Sequence, residues 1–270
     1  MQQGDKFAIM MPNLLQNPIA IFGALRAGLT VVNINPLYTV DELRHQLCDS
    51  EATGIIVLDN FASNLQSIIS ETPIKHVITS RMGDMLAFPK SSIINLVVKH
   101  VKKMVPSFNL EGSHTFSKAL KLGKTLQYTR PLIKQTDFAF LQYTGGTTGI
   151  AKGAILTHGN MVANLQQASA WIEPFLEKGK EHVITALPLY HIFSLLANCM
   201  FFMKIGGLNH LITNPRDMKG FVKELKDSKF SVITGVNTLF NGLLNTPEFS
   251  AVDFSHLKLT LGGGMAVQKS

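Results

Sequence analysis

Phe138-Ala139-Phe140-Leu141-Gln142-Tyr143-Thr144-Gly145-Gly146-Thr147-Thr148-Gly149-Ile150-Ala151-Lys152-Gly153-Ala154-Ile155-Leu156 is an apolar run, a glycine- and threonine-rich loop and a second apolar run. The two runs read as extended strands. Between Tyr143 and Gly153 the loop packs four glycines, three threonines and one lysine into eleven residues. Glycines let backbone N–H groups turn inward around an anion with no side chain in the way. Threonine hydroxyls add donors, and Lys152 adds a full positive charge. The loop is therefore suited to a polyphosphate, and the alternative is a mobile glycine-rich turn. Loops held by such a scaffold are where function concentrates. It is not the usual NTPase loop, which ends Gly-Lys-Ser/Thr, because Ala151 precedes Lys152 and Gly153 follows it. Nor is it G-x-G-x-x-G, since Gly145 and Gly146 are adjacent.

Working outward, short apolar runs alternate with helical segments. Phe7–Met11, Val31–Ile34, Ile55–Leu58 and His76–Thr79 read as strands, and Leu14–Ala27 reads as a helix ended by Gly28. Thr39-Val40-Asp41-Glu42 reads as a capping box that opens a helix to about Asp49. After the loop, helices are expected over Met161–Trp171, Phe193–Met203, Asp217–Lys226 and Thr238–Leu244. Strands are expected over Val183–Ala186, Leu208–Ile212, Ser231–Thr234 and Leu257–Leu261. Strands spaced by helices imply βαβ units. The expected class is α/β, with two mostly parallel sheets and flanking helices. Residues 1–157 would form a first subdomain ending in the phosphate loop, interrupted by an insertion at about 83–135. Residues 158–270 would form a second, truncated one.

Composition narrows the function classes. A 46% hydrophobic fraction supplies a core and argues against disorder. The net charge of +7 favours anionic partners, yet no nucleic-acid-binding signature accompanies it. Cys48 and Cys199 lack metal-ligand spacing, so both are expected as buried thiols in a reducing compartment. Met1 is followed by polar residues, with no secretory signal. The expected location is cytoplasmic. Val183–Met203 is free of Lys, Arg, Asp and Glu but contains Pro188, Tyr190, His191 and Asn198. It reads as a buried strand, loop and helix.

Ser92–Val105 reads as a basic amphipathic helix. Ile93, Ile94, Val97, Val98, Val101, Met104 and Val105 form one stripe, while Lys99, His100, Lys102 and Lys103 crowd the other side. Two readings stay open: a surface helix whose stripe meets the core, and one that docks on the inner face of an anionic membrane through about 90–105.

The run Thr144–Gly153 resembles the phosphate loop of the adenylate-forming enzymes, whose pattern is roughly [ST]-[SG]-G-[ST]-[TS]-G-x-[PA]-K-G. Met11-Pro12-Asn13, Asn35-Pro36-Leu37-Tyr38-Thr39, Leu187-Pro188-Leu189-Tyr190-His191-Ile192-Phe193 and Gly262-Gly263-Gly264-Met265 are similar, in order, to landmarks of long-chain fatty acyl-CoA synthetases. The resemblance covers essentially all 270 residues. It implies a ligase that joins a fatty acid to AMP with release of pyrophosphate, then transfers the acyl group to CoA. ATP, Mg2+ and CoA are the implied cofactors and co-substrates. Tyr143, Thr144, Gly145, Gly146, Thr147, Thr148, Gly149, Lys152 and Gly153 would bind ATP, with Thr144, Lys152 and His191 closest to the chemistry. His191, Val236, Phe240, Gly262, Gly263, Gly264 and Met265 would border the acyl-adenylate. From the residues alone, His191 is as well explained by loop packing, and Val236 and Phe240 by the core. Ala266 stands where family members often have proline. No metal ligand is assigned, because the glutamate that engages Mg2+ is expected after Ser270, as are a ribose-holding aspartate and a lysine-bearing C-terminal domain. The chain alone is therefore expected to have little or no ligase activity. A non-catalytic nucleotide- or acyl-binding remnant, and an adenylate-forming ligase for another carboxylate, remain alternatives. A homodimer is compatible with all three.

Overall fold

A computed structural model describes residues 1–144 and 151–264. The chain divides into two compact units, 1–160 and 161–270. In the first, β1 (Lys6–Met10), β2 (Thr30–Ile34), β3 (Gly54–Leu58), β4 (His76–Ser80), β5 (His114–Thr115), β6 (Phe138–Thr144) and β7 (Lys152–Thr157) form one sheet in the order β5-β4-β3-β1-β2-β6-β7. All neighbours are parallel except β6 and β7, which are antiparallel. The central strands are buried along their length (Ala8, Ile9, Met10, Val31, Val32, Ile55 and Val57 are fully covered). That is why their sequences read as unbroken apolar runs rather than alternating ones.

On one face, Ala8, Met10, Val32, Ile34, Ile55 and Val57 pack with Leu43 and Leu47 of the helix Val40–Asp49. The capping box forms as the sequence implies. Thr39 Oγ1 accepts from the Glu42 amide at 3.3 Å, and Glu42 Oε2 accepts from the Thr39 amide at 2.8 Å.

The second unit holds β8 (His182–Thr185), β9 (Leu208–Leu211), β10 (Val232–Gly235) and β11 (Leu259–Gly262), all parallel, in the order β11-β10-β8-β9. Ile184, Phe221, Val222, Leu225, Phe230 and Ile233 form a core on this sheet. The Asp217 side chain caps its helix by accepting from the Gly220 amide.

Three expectations change. The segment 83–135 is more than an interruption: it supplies the edge strand β5, whose His114 and Thr115 pair with Ile78 and Thr79, and then the helix Phe116–Thr125. A two-residue strand is too short to leave a periodic signal. The basic amphipathic segment is not one continuous stripe. The helix Lys90–Leu96 passes into a π turn over Val97–Val101 and stops. The wider π turn shifts the register. Val98 turns inward, while Ile93, Val101 and Met104 face out.

Cys48 is exposed, and its thiol donates to the Glu71 carbonyl. The helix Val40–Asp49 buries Leu43, Gln46 and Leu47, which puts position 48 on its outer side. Cys199 is buried, and burial pushes its thiol up to about 12. An aromatic disulfide reagent at pH 8 is therefore expected to modify one thiol of the native chain quickly, with mass mapping to Cys48. Cys199 should react only on unfolding, since the thiolate is the nucleophile.

Candidate functional site

The glycine- and threonine-rich loop joins β6 to β7, and the ladder places Thr144 opposite Lys152 and Tyr143 opposite Gly153. Opposed residues of an antiparallel pair share a face. Thr144 and Lys152 therefore stand together on one face of the hairpin, both exposed, a hydroxyl beside an ammonium. None of the ion pairs among the described residues uses Lys152. Gly145, Gly146, Thr147, Thr148 and Gly149 lie outside the described residues, as does Met265.

The other face anchors the hairpin. The buried Tyr143 ring lies over Gly153, where an added Cβ would come within 3.0 Å of the ring. Its hydroxyl donates to Asp49 at the end of the helix Val40–Asp49. Burial, and then that hydrogen bond, push the phenol above its ordinary value, so it stays a donor. One turn earlier, His45 Nε2 lies 3.2 Å from the Ala151 carbonyl. The residues flanking the loop are thus held to the helix Val40–Asp49: Tyr143 before it through Asp49, and Ala151 after it through His45. Asp49 and His45 were not singled out in the sequence. Their only signal there is the helix they share with the Thr39 capping box.

In the second unit, three predicted segments follow the carboxyl ends of neighbouring strands, the edge where open α/β sheets bind ligands. After β8, Leu187–His191 leads into the helical segment Ile192–Lys204. His191 is exposed and caps that helix, its Nδ1 accepting from the Phe193 amide at 3.4 Å. In the neutral ring, a hydrogen-bond acceptor at Nδ1 leaves the proton on Nε2. After β10, Val236 precedes the helix Asn237–Leu244 and the Phe240 ring folds over Gly235. After β11, Gly263 lies beneath the Phe193 ring, where a Cβ would meet Cζ at 2.5 Å. Gly264 follows in the left-handed region at φ +78°, 3.5 Å from Val236 Cγ1 by the same measure. His191, Val236, Phe240 and Gly262–Gly264 are thereby brought together at one sheet edge. A Cβ at position 263 would force the Phe193 ring to move, which accounts for the central glycine of the triplet.

A separate cavity of about 380 Å³ in the first unit is lined by Asp59, Arg81, Asn95 and Lys99, among others. Burial and then the neighbouring Asp84 push the Asp59 carboxyl up to about 6. Its mixed charges do not match a polyphosphate. Among the described residues no three histidine, cysteine or acidic side chains cluster as a metal site. The hairpin offers hydroxyls and an ammonium where Mg2+ prefers carboxylate and water oxygens. These residues therefore do not fit the ion by themselves, and no step is derived through it.

Known proteins share this pattern along the full length. The family model for AMP-binding enzymes matches residues 1–270. The chain is 56% identical to a long-chain-fatty-acid–CoA ligase of Yersinia pestis over 270 residues, 57% identical to one of Haemophilus influenzae, and 35% identical to one of Bacillus subtilis. It spans about half the length of these curated relatives, 48%, 48% and 47%. Among solved structures, an anthranilate CoA ligase in complex with anthranoyl-AMP superposes with a TM-score of 0.79 at 20% identity, over 98% of this chain and 46% of that one. A long-chain-fatty-acid-CoA ligase from Archaeoglobus fulgidus gives 0.74 at 24%, over 99% and 47%. Those two likenesses establish the fold. With a hairpin that pairs Thr144 and Lys152 and a family model that matches from end to end, the chain belongs to the AMP-binding enzyme family.

Proposed function

We propose that this chain supplies the ATP- and carboxylate-binding part of a long-chain fatty acid–CoA ligase. The observation that carries the reading is the 56% identity, sustained over the whole chain, to ligases named for long-chain fatty acids. In the first step, a carboxylate oxygen attacks the α-phosphorus of ATP. The bond from that phosphorus to the α,β-bridging oxygen breaks, and pyrophosphate leaves with the oxygen. In the second, the CoA sulfur attacks the acyl carbon and AMP leaves. A fatty carboxylate is ionised near neutral pH and needs no general base, so neutralisation and alignment of two anions dominate. Lys152 and Thr144 hold the leaving pyrophosphate oxygens. His191, with its proton on Nε2, donates toward the carboxylate or phosphoryl oxygen. The glycines after β11 let the flat adenylate approach the backbone.

Because the 270 residues span about half the length of the relatives they match, the reading is best tested in a full-length setting. A chimera in which they replace the matching half of a full-length relative tests the substrate class. ATP–pyrophosphate exchange should be driven by palmitate and not by benzoate or free amino acids. Exchange driven by an aromatic or amino-acid carboxylate instead would overturn the long-chain reading.

A membrane surface is part of this proposal. No helix among the described residues is long and apolar enough to cross a membrane. Yet Phe88, Ile93, Leu96, Val101 and Met104 are exposed within one short segment, Phe88 at 86%, together with Lys90, Lys99, Lys102 and Lys103. Apolar side chains ringed by lysines suit an anionic bilayer. Co-sedimentation with vesicles containing phosphatidylglycerol should drop at least about tenfold when Lys99, Lys102 and Lys103 become Glu, at roughly 1 kcal/mol per charge. Unchanged sedimentation would sink the idea.

A further inference from the structure

A buried polar relay lies behind the His191 loop. Asn198 Nδ2 donates to Thr234 Oγ1 at 2.8 Å and to Ser194 Oγ at 3.0 Å, and Ser194 Oγ donates to the Leu187 carbonyl at 2.7 Å. Ser194 and Asn198 are fully buried and Thr234 is 1% exposed. The relay ties Leu187, in the loop after β8, to the helix that closes it, and both to Thr234 near the carboxyl end of β10. Everything between Leu187 and Ser194, His191 included, is held as a closed loop. Thr234 is followed directly by Gly235 and Val236, so the same relay reaches the second segment of the site.

Asn198 is costly where it stands. Its neighbours Leu195, Leu196, Ala197, Cys199, Phe201 and Phe202 are buried and apolar. Both amide hydrogens are used, yet Oδ1 is buried without a hydrogen-bond partner among the described residues. An orphaned buried acceptor is destabilising, and an apolar side chain of similar size would avoid that cost. The amide cannot simply turn over, because the Ser194 hydroxyl spends its proton on Leu187 and must accept from nitrogen. Asn198 also lies in the π turn Leu195–Met200, a local widening that is frequent at functional sites. A polar group that lowers stability yet links two segments of a site fits conformational specificity better than core packing.

We propose that the Thr234–Asn198–Ser194–Leu187 relay is a clasp that presets the His191 loop, with Asn198 as a positioning residue for the acyl-adenylate edge. The functional half of this statement rests on the acyl-adenylate reading of the site, and the clasp itself does not. Thr234→Val keeps the branched shape without the hydroxyl, and Thr234→Ser keeps the hydroxyl without the methyl, so the two separate hydroxyl from shape. By hydrogen exchange on the 270-residue chain, amides of the 187–195 segment should exchange about tenfold faster in Thr234→Val. They should stay within about twofold of the parent in Thr234→Ser, while β8 and β10 keep their protection. Affinity for the non-reactive analogue palmitoyl-sulfamoyl-adenosine should fall about tenfold in Thr234→Val only. Should that variant not fold, Ser194→Ala cuts the link to Leu187 and is read the same way. Loop exchange that is unchanged in a folded variant, or that rises equally across all strands, overturns the clasp. If neither the 270-residue chain nor the chimeric ligase binds the analogue, the acyl-adenylate reading falls, while the exchange data still decide the clasp.

Discussion

Replacing Lys152 with Met in the chimeric ligase is expected to lower palmitate-dependent ATP–pyrophosphate exchange by about two orders of magnitude, the usual cost of deleting one preorganised charge from a site where anions meet. Lys152 stands beside Thr144 on the open face of the β6–β7 hairpin, and no ion pair among the described residues engages it. Its removal should therefore leave folding intact, with a melting temperature close to that of the parent. Lys152→Arg keeps the charge but changes its shape and hydration, and should recover only part of the rate. Loss of exchange together with loss of fold would show a structural lysine instead. Full exchange in Lys152→Met would remove the hairpin from the chemistry.

The second large effect is steric. Gly263→Ala puts a methyl group where the Phe193 ring sits, at 2.5 Å from Cζ before relaxation. Overpacking of this kind costs about 1–3 kcal/mol. The ring must shift to relieve it, and Phe193 lies at the helix start that His191 caps. Affinity for palmitoyl-sulfamoyl-adenosine is expected to drop by roughly ten- to a hundredfold, following the same energy range. The clash has a named partner, so the test has an internal control. Adding Phe193→Leu should restore most of the affinity lost to Gly263→Ala. Failure of the second substitution to compensate would mean that Gly263 matters for a reason other than the ring above it.

The parts of this molecule that were legible in its sequence are those written over a few consecutive residues. The buried strands announce themselves because a parallel sheet covered on both faces demands unbroken apolar runs, as in Ile55–Leu58. The Thr39–Glu42 box could be read because its two hydrogen bonds span three positions. What could not be read depends on partners far along the chain. Asp49 meets Tyr143 across 94 positions, and His45 meets Ala151 across 106. No local pattern carries those contacts. The glycine triplet was visible as composition, but the ring that requires its central member was not. Likewise Asn198 looked like an interruption of an apolar stretch, and only its pairing with Thr234 shows why a polar group is there. The exposed thiol of Cys48 shows the limit of residue-type preferences: cysteine is usually buried, but the phase of the helix decided otherwise.

The proposed reaction is adenylyl transfer, and one isotope measurement tests it directly. The chimeric ligase is given palmitate labelled with 18O in both carboxylate oxygens, together with ATP and CoA, and the products are weighed. Attack on the α-phosphorus leaves one labelled oxygen in AMP and one in palmitoyl-CoA, with unlabelled pyrophosphate, and that is the result expected. Label in orthophosphate, with ADP as the nucleotide product, would mean attack on the γ-phosphorus and would contradict the account.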